Sequence, residues 1–364
     1  MRIIDSDSRR QVNPRRRAMG WTLMFILASA MILPTASYLV ADFGAAQAQV
    51  SDDGANQRAN FWRAVRGGNE GYSAVSGPET NVLINNGGQN WRQVRNGLVA
   101  NYGGWLLFAM VIVILLFFAL RGPQELEVKP SGKTVPRWNV GERILHWYTA
   151  IGFVILAITG LSMLFGRAVL IPLFGLSGFA NWASLSISVH NTLGPFFSIG
   201  VLLMFVFWVK NNIPKAVDLK WFAAGGGFVR GKHPSAGKAN AGEKVWFWIV
   251  SIVGLVFVCV SGIALIGWLA DLGLWGDSRA NMQLAHTVHS IAAIVWMTVF
   301  MGHAYIGTIG QQGALEGMTT GRVGVEWAEQ HHDLWFEQIK NETESTAAAR
   351  TGDAGASPEA EHAS

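Results

Sequence analysis

The chain has 364 residues, half of them hydrophobic and only 14% charged, with a net charge of +4. A soluble domain carries about 25% charged residues, so this composition excludes a purely water-soluble globule. It also excludes a disordered chain, and the small net charge argues against a nucleic-acid partner.

The first segment, residues 1–48, reads as a signal peptide or an uncleaved anchor. Arg9, Arg10, Arg15, Arg16 and Arg17 precede an apolar run from Met19 to Val40, and Ala46-Gln47-Ala48 supplies a small-residue cleavage pattern. Residues 49–97 are polar and rich in Gly, Asn and Gln, an exported periplasmic segment too poor in apolar residues for a core of its own. Five apolar runs of 21–25 residues follow, at about 98–120, 144–165, 189–209, 245–269 and 285–309. Each is long enough as a helix to cross a hydrocarbon core of about 30 Å. The fold class is therefore all-α integral membrane. The run at 98–120 is one candidate span, and 144–309 holds four more. Residues 121–143 form a linker, 310–340 a tail and 341–364 a disordered C-terminus.

Lysine and arginine fix the orientation. Arg121, Lys129, Lys133, Arg137 and Arg143 crowd one loop; Lys210, Lys215, Lys220, Arg230, Lys232, Lys238 and Lys244 crowd another. The alternate loops hold Arg167 and Arg279. By the positive-inside rule the two basic segments and the C-terminus are cytoplasmic. The sixteen tryptophans suit the membrane interface.

A single cysteine, Cys259, rules out an intrachain disulfide, covalent C-x-x-C-H haem and a cysteine-held cluster. Any metal falls to His, Asp, Glu or Met. Ionisable residues inside spans are functional candidates, and His146, His190, His286, His289 and His303 qualify. His289 and His303 are fourteen residues apart on the last span. At about 100° per residue they share one face, about 21 Å apart along the axis. His146 matches the inner depth and His190 the outer. The pattern describes two bis-histidine sites stacked across the bilayer, suited to two non-covalent b haems. A histidine proton relay, as in a transporter or proton channel, and ordinary polar packing are the alternatives. Gly194, Gly262, Ala292 and Ala293 would admit a macrocycle or serve helix packing. His286 reads as packing, and His331-His332 as a surface or partner contact. Arg143, one turn before His146, either meets a haem propionate or anchors the helix at the inner surface.

Several motifs resemble the gamma subunit, cytochrome b, of bacterial formate dehydrogenases. These are E-R-I-L-H-W at 142–147, W-V-K-N-N-I-P-K-A-V-D-L-K-W-F at 208–222, G-K-A-N-A-G-E-K at 237–244 and E-Q-H-H-D-L-W-F-E at 329–337, all in family order. The resemblance covers about 135–340. It implies a four-helix dihaem core anchoring a molybdenum or tungsten formate-oxidising subunit and an iron–sulfur subunit on the outer face. Electrons would enter at an outer haem on His190 and His289, pass to an inner haem on His146 and His303, and reduce quinone. The implied quinone site involves Asn240, Gly242 and His303; Asn240 also fits a helix N-cap. A cytochrome b of a membrane hydrogenase or thiosulfate reductase shares this core and differs in its electron donor.

Overall fold

The computed structural model describes residues 69–72, 80–84, 86–226 and 233–342. The signal or anchor at 1–48 and residues 343–364 lie outside them. The described chain is mostly helical. Strands β1 (Asn69–Glu70) and β2 (Val82–Ile84) pair antiparallel ahead of helix α1 (Asn86–Gln93). A π-helical stretch, Val94–Tyr102, leads into α2 (Gly103–Arg121). After β3 (Thr134–Pro136) comes α3 (Val140–Trp208), then α4 (Ala216–Ala223). Helix α5 (Ala241–Ile249) continues through a π-helical stretch, Val250–Cys259, into α6 (Val260–Leu265). The short α7 (Trp268–Asp271) precedes α8 (Arg279–Tyr305), and α9 (Ala314–Thr319), β4 (Arg322–Gly324) and α10 (Val325–His331) follow.

Among the described residues four helical stretches are long and apolar enough to cross a membrane: Asn90–Arg121, Val140–Asn212, Ala241–Leu265 and Arg279–Gly310. The second, at 73 residues, is far longer than one crossing needs. It is two helices in series, broken at Gly175, where φ is +69° and ψ 178°. Glycine takes that backbone without a Cβ penalty. The arms on either side run antiparallel. Gly160 packs on His190, Gly152 on Phe197 and Gly166 on Phe179, each pair centred close to Gly175, and the Tyr148 hydroxyl donates to Phe196 O at 2.7 Å. The apolar runs at 144–165 and 189–209 are thus the cores of longer helices. The connection between them is itself helical: Pro172 withholds one backbone N–H from the ladder, and the φ/ψ break comes at Gly175.

The chain divides into two compact units. One gathers the helices up to Pro123 with Ile144–Val206 and Trp248–Gln311; the other gathers Gln124–Arg143, Phe207–Phe247 and the chain from Gln312 on. The first has the polarity of a membrane bundle. Val113, Leu116, Ile151, Val206, Val256 and Val260 each expose half or more of their surface, an apolar exterior that water would not tolerate. Inside it lie Leu107, Phe153, Leu161, Phe165, Phe197, Val201 and Trp296. Helix α2 packs along α8, where Gly103 lies under Ile294 with no room for a Cβ.

An aromatic layer crosses this bundle. Phe153 meets Phe300 at 4.4 Å and Trp296 at 5.0 Å between ring centres, and Trp296 meets Phe197 at 5.7 Å. Gly254 faces the Trp296 indole so closely that a Cβ would sit 2.6 Å from its ring. Trp296 is 3% exposed. Truncating it leaves a large cavity with no side chain free to collapse into it. Trp296→Ala is expected to cost about 3–5 kcal/mol, read as a lowered Tm of the detergent-solubilised protein.

The second unit has its own small core. β3 and β4 pair antiparallel, with Val135 opposite Val323. Val323, Trp327, Ala328 and Trp335 are buried, with Leu126, Val135, Phe336 and Ile339 packed on them. Arg137 stands among aromatic rings, its guanidinium carbon 4.7 Å from the Trp327 ring centre and 5.2 Å from that of Trp335, close enough for cation–π attraction. Its Nη2 also donates to Glu243 Oε1 at 3.2 Å and Lys238 O at 3.1 Å.

His332 was expected at the surface and is instead 1% exposed. The sequence around it is polar, but the one-turn-apart tryptophans on either side fold over its ring. Its Nδ1 lies 2.8 Å from Gly237 O and its Nε2 3.2 Å from Arg137 Nη2. A carbonyl only accepts and a guanidinium only donates, so the network assigns a neutral ring with its proton on Nδ1. Burial, then the Arg137 charge, hold the His332 pKa well below its usual value. Burial and then the neighbouring imidazoles push His331 down to about 3. Unfolded histidine takes its proton near pH 6.5, so the stability tied to these neutral rings is intact above that pH and is lost as pH falls below it. By pH 5 the loss is about 2 kcal/mol for each ring. Amide protection across 322–342, taken relative to the intrinsic exchange rate at each pH, should be high at pH 7.5, lower at pH 5, and high again on return.

Candidate functional site

The site is built on three helical segments of the bundle: the two arms of α3 and helix α8. Each is set by a local signal. Asn139 and Glu142 form a capping box at the start of α3, with Asn139 N donating to Glu142 Oε2 at 2.8 Å and Glu142 N to Asn139 Oδ1 at 2.9 Å. Ser278 caps α8, its hydroxyl accepting from Asn281 N at 3.3 Å. These starts fix where each histidine falls on its helix.

Four of the five span histidines meet in pairs. The ring centres of His146 and His303 are 6.4 Å apart, and those of His190 and His289 are 6.1 Å apart. A metal–imidazole bond of about 2.0 Å, with the nitrogen about 1.1 Å from its ring centre, puts two axial imidazoles on one metal about 6.2 Å apart. Both pairs stand at that spacing. Among the described residues no group of three or more His, Cys, Asp or Glu converges as metal ligands. Isolated histidine pairs suit a metal whose other ligands arrive with it, as the four macrocycle nitrogens of haem do.

Hydrogen bonds orient the outer pair. The Thr159 hydroxyl donates to Ile155 O at 2.9 Å and lies 2.8 Å from His190 Nδ1. Its proton is committed to the backbone, so it accepts from the ring, and Nε2 carries the lone pair. His289 Nδ1 lies 3.0 Å from Val258 O and 3.1 Å from Ser261 Oγ. The carbonyl again places the proton on Nδ1. Such partners fix the tautomer and raise the basicity of a ligating imidazole. Small residues back both rings: a Cβ on Gly160 would stand 3.3 Å from His190 Cε1, and one on Gly262 3.2 Å from His289 Cε1. Four residues after His190 and one before His303, a Cβ on Gly194 or Gly302 would meet nothing within 4 Å, space against the helix that a flat macrocycle would fit. In the inner pair, His146 Nδ1 is buried with no hydrogen-bond partner, and Trp147 stands edge-on to its ring at 5.2 Å. The residues present fit haem at both pairs. On α8, Trp296 lies midway in sequence between His289 and His303, and it packs on Phe153 and Phe197 of the two arms of α3.

The remaining sequence candidates fall elsewhere. His286 is outside both pairs; its ring meets Trp91 at 5.3 Å. Arg143 Nη1 donates to Thr319 O at 2.8 Å. Asn240 forms a second capping box: its Oδ1 accepts from Glu243 N and its N–H donates to Glu243 Oε2, both at 2.9 Å. Gly242 faces Trp221, whose ring a Cβ would approach to 3.1 Å. Lys244 is buried on Asp218, 2.8 Å from both carboxylate oxygens, and ties α4 to α5. Sequence reasoning missed Thr159, Ser261 and Gly160.

Known proteins resemble the same part of the chain. Residues 137–321 match the family described as prokaryotic cytochrome b561. The chain is 28% identical over 221 residues to the nitrate-inducible formate dehydrogenase cytochrome b556(Fdn) subunit of Escherichia coli K12, covering 58% of this chain and 94% of that protein. It is 29% identical over 216 residues to the formate dehydrogenase cytochrome b556(fdo) subunit of the same strain, covering 59% and 97%. With the formate dehydrogenase cytochrome b556 subunit of Haemophilus influenzae it shares 26% over 206 residues, covering 56% and 82%. The matched half of the sequence holds all four paired histidines, and the chain belongs to the prokaryotic cytochrome b561 family.

Proposed function

We propose that this chain is the membrane-anchoring dihaem cytochrome b subunit of a formate dehydrogenase complex in the bacterial inner membrane. The observation that carries the reading is the spacing of two histidine pairs, 6.4 and 6.1 Å between ring centres. Both pairs draw one member from α8. His146 and His303 would hold the inner haem and His190 and His289 the outer. Bound there, b haems would supply one-electron transfer. The chain's own residues do the rest: Thr159, Ser261 and Val258 O hold the outer imidazoles in the ligating tautomer, and the aromatic layer keeps water out of the interval between the sites.

The partners are a molybdenum or tungsten formate-oxidising subunit and an iron–sulfur subunit on the outer face. Formate oxidation yields two electrons, a proton and CO2; quinone takes two electrons and two protons from the cytoplasmic side. Asn240 and Gly242 are the candidates for contacting quinone. The cap uses Asn240 Oδ1, so a quinone carbonyl would accept from Nδ2. The helix within Asn90–Arg121 is an additional span before the four-helix core, and the C-terminus is cytoplasmic. The test is to add formate to the purified complex. The α band of b-type haem should appear and be reoxidised by a quinone analogue. Reduction by hydrogen but not formate would assign the chain to a hydrogenase instead.

A further inference from the structure

The N-terminal helical run, Asn86–Arg121, precedes the family match, which begins at residue 137. It nevertheless reaches the outer histidine pair. Arg95 Nη2 donates to Met163 O at 3.2 Å. Met163 lies one turn beyond Thr159 and Gly160, the residues that hold and back His190. Arg95 is also within electrostatic reach of His286, and His286 lies one turn beyond His289. Both displacements lead away from the His146–His303 pair. Arg95 therefore stands one helical turn outward of the outer pair, on both helices that carry it.

Two polar atoms beside it lack partners. Trp91 Nε1 and His286 Nδ1 are buried and make no hydrogen bond, and their rings meet edge-on at 5.3 Å. A buried indole N–H without an acceptor is costly. A carboxylate would accept from the Trp91 N–H and from a His286 tautomer protonated at Nδ1, and would lie near the Arg95 guanidinium, whose Nη1 also donates to Asn96 Oδ1 at 2.8 Å. Haem carries two carboxylates on one edge. Placing them in hydrocarbon is expensive, so that edge of an outer haem must face the nearer membrane surface, the direction in which Trp91, Arg95 and His286 lie.

We propose that Trp91, Arg95 and His286 form the recess for a propionate of the outer haem, making the N-terminal helix part of the cofactor site. The inference rests on the outer haem being held by His190 and His289. It gives the otherwise unpaired His286 a task and explains why a helix outside the shared core packs along α8.

The test is a redox titration of the full chain in its purified complex, followed at the haem α band, with haem content measured in parallel. Arg95→Gln removes a positive charge beside the propionate and favours the oxidised iron. The reduced-to-oxidised ratio of one haem should fall about tenfold at fixed potential, equivalent to about 59 mV. The other haem should stay put and content should remain two per chain. Arg95→Lys should restore most of the ratio, which a purely structural role would not do. Should Arg95→Gln fail to assemble, Trp91→Phe keeps the ring and deletes only the N–H, and a smaller shift in the same direction is expected. With haem labelled with ¹³C at its propionates, the label-sensitive carboxylate band in the infrared redox difference spectrum should move in Arg95→Gln. Unchanged potentials with an unmoved band would overturn the recess and leave the haem assignment standing. Two haems surviving His289→Ala would overturn both.

Discussion

With two haems held as proposed, His289→Ala should leave one b haem per chain. The lost haem is the outer one, because His190 would then be its only protein ligand. Losing a mere hydrogen-bond partner of a ligating imidazole costs about 10–100-fold in metal affinity; losing the imidazole itself costs more, and occupancy should fall below about a tenth. The inner haem persists because His146 and His303 lie about 21 Å away along the axis, beyond the Phe153, Trp296 and Phe300 layer. Sites so separated act independently. His286→Ala, only one turn away, should keep both haems, since His286 belongs to neither pair. Pyridine haemochrome content against protein concentration checks both variants beside the wild type.

Gly160→Leu should also cost the outer haem, against what helix propensity alone says. Leucine is a better helix former than glycine by about 0.8–1 kcal/mol, so the arm of α3 should fold at least as well. At Gly160, however, a Cβ alone would stand 3.3 Å from His190 Cε1, with Nδ1 of the same ring its next neighbour, and the longer leucine side chain crowds that imidazole further. The ring would turn, breaking the 2.8 Å contact with Thr159 and taking Nε2 off the axial position. Gly160→Ala needs a shift of only a few tenths of an ångström and should retain haem with an altered potential. Unchanged helicity by circular dichroism with one haem per chain is the expected result for leucine.

Much of this was legible in the sequence because the physics is periodic. Apolar runs located the spans, and the fourteen-residue interval between His289 and His303 set two histidines on one face of one helix. Asn240 was readable as a cap, whereas the same N-x-G-E pattern at Asn139 came to light only with the structure. The helix bounds were not: residues 166–188 continue the helix, and only the backbone at Gly175 shows where it turns. Thr159 and Ser261 were invisible for another reason. Hydroxyls in apolar helices routinely bond back one turn, as Thr149 does to Leu145 O and Thr298 to Ile294 O. Nothing in sequence separates those from the hydroxyls that also meet a histidine. The π-helical stretch Val250–Cys259 further shifts the phase at which Ser261 and Gly262 reach His289. The buried His332 was hidden by its polar neighbours, because the tryptophans that cover it sit a few residues away on either side.

The haem stoichiometry of the wild-type chain tests the central claim most directly. The account predicts two non-covalent haems per chain, extractable by acidified acetone, with b-type pyridine haemochrome spectra. One haem per chain, or none, in an intact complex would contradict it.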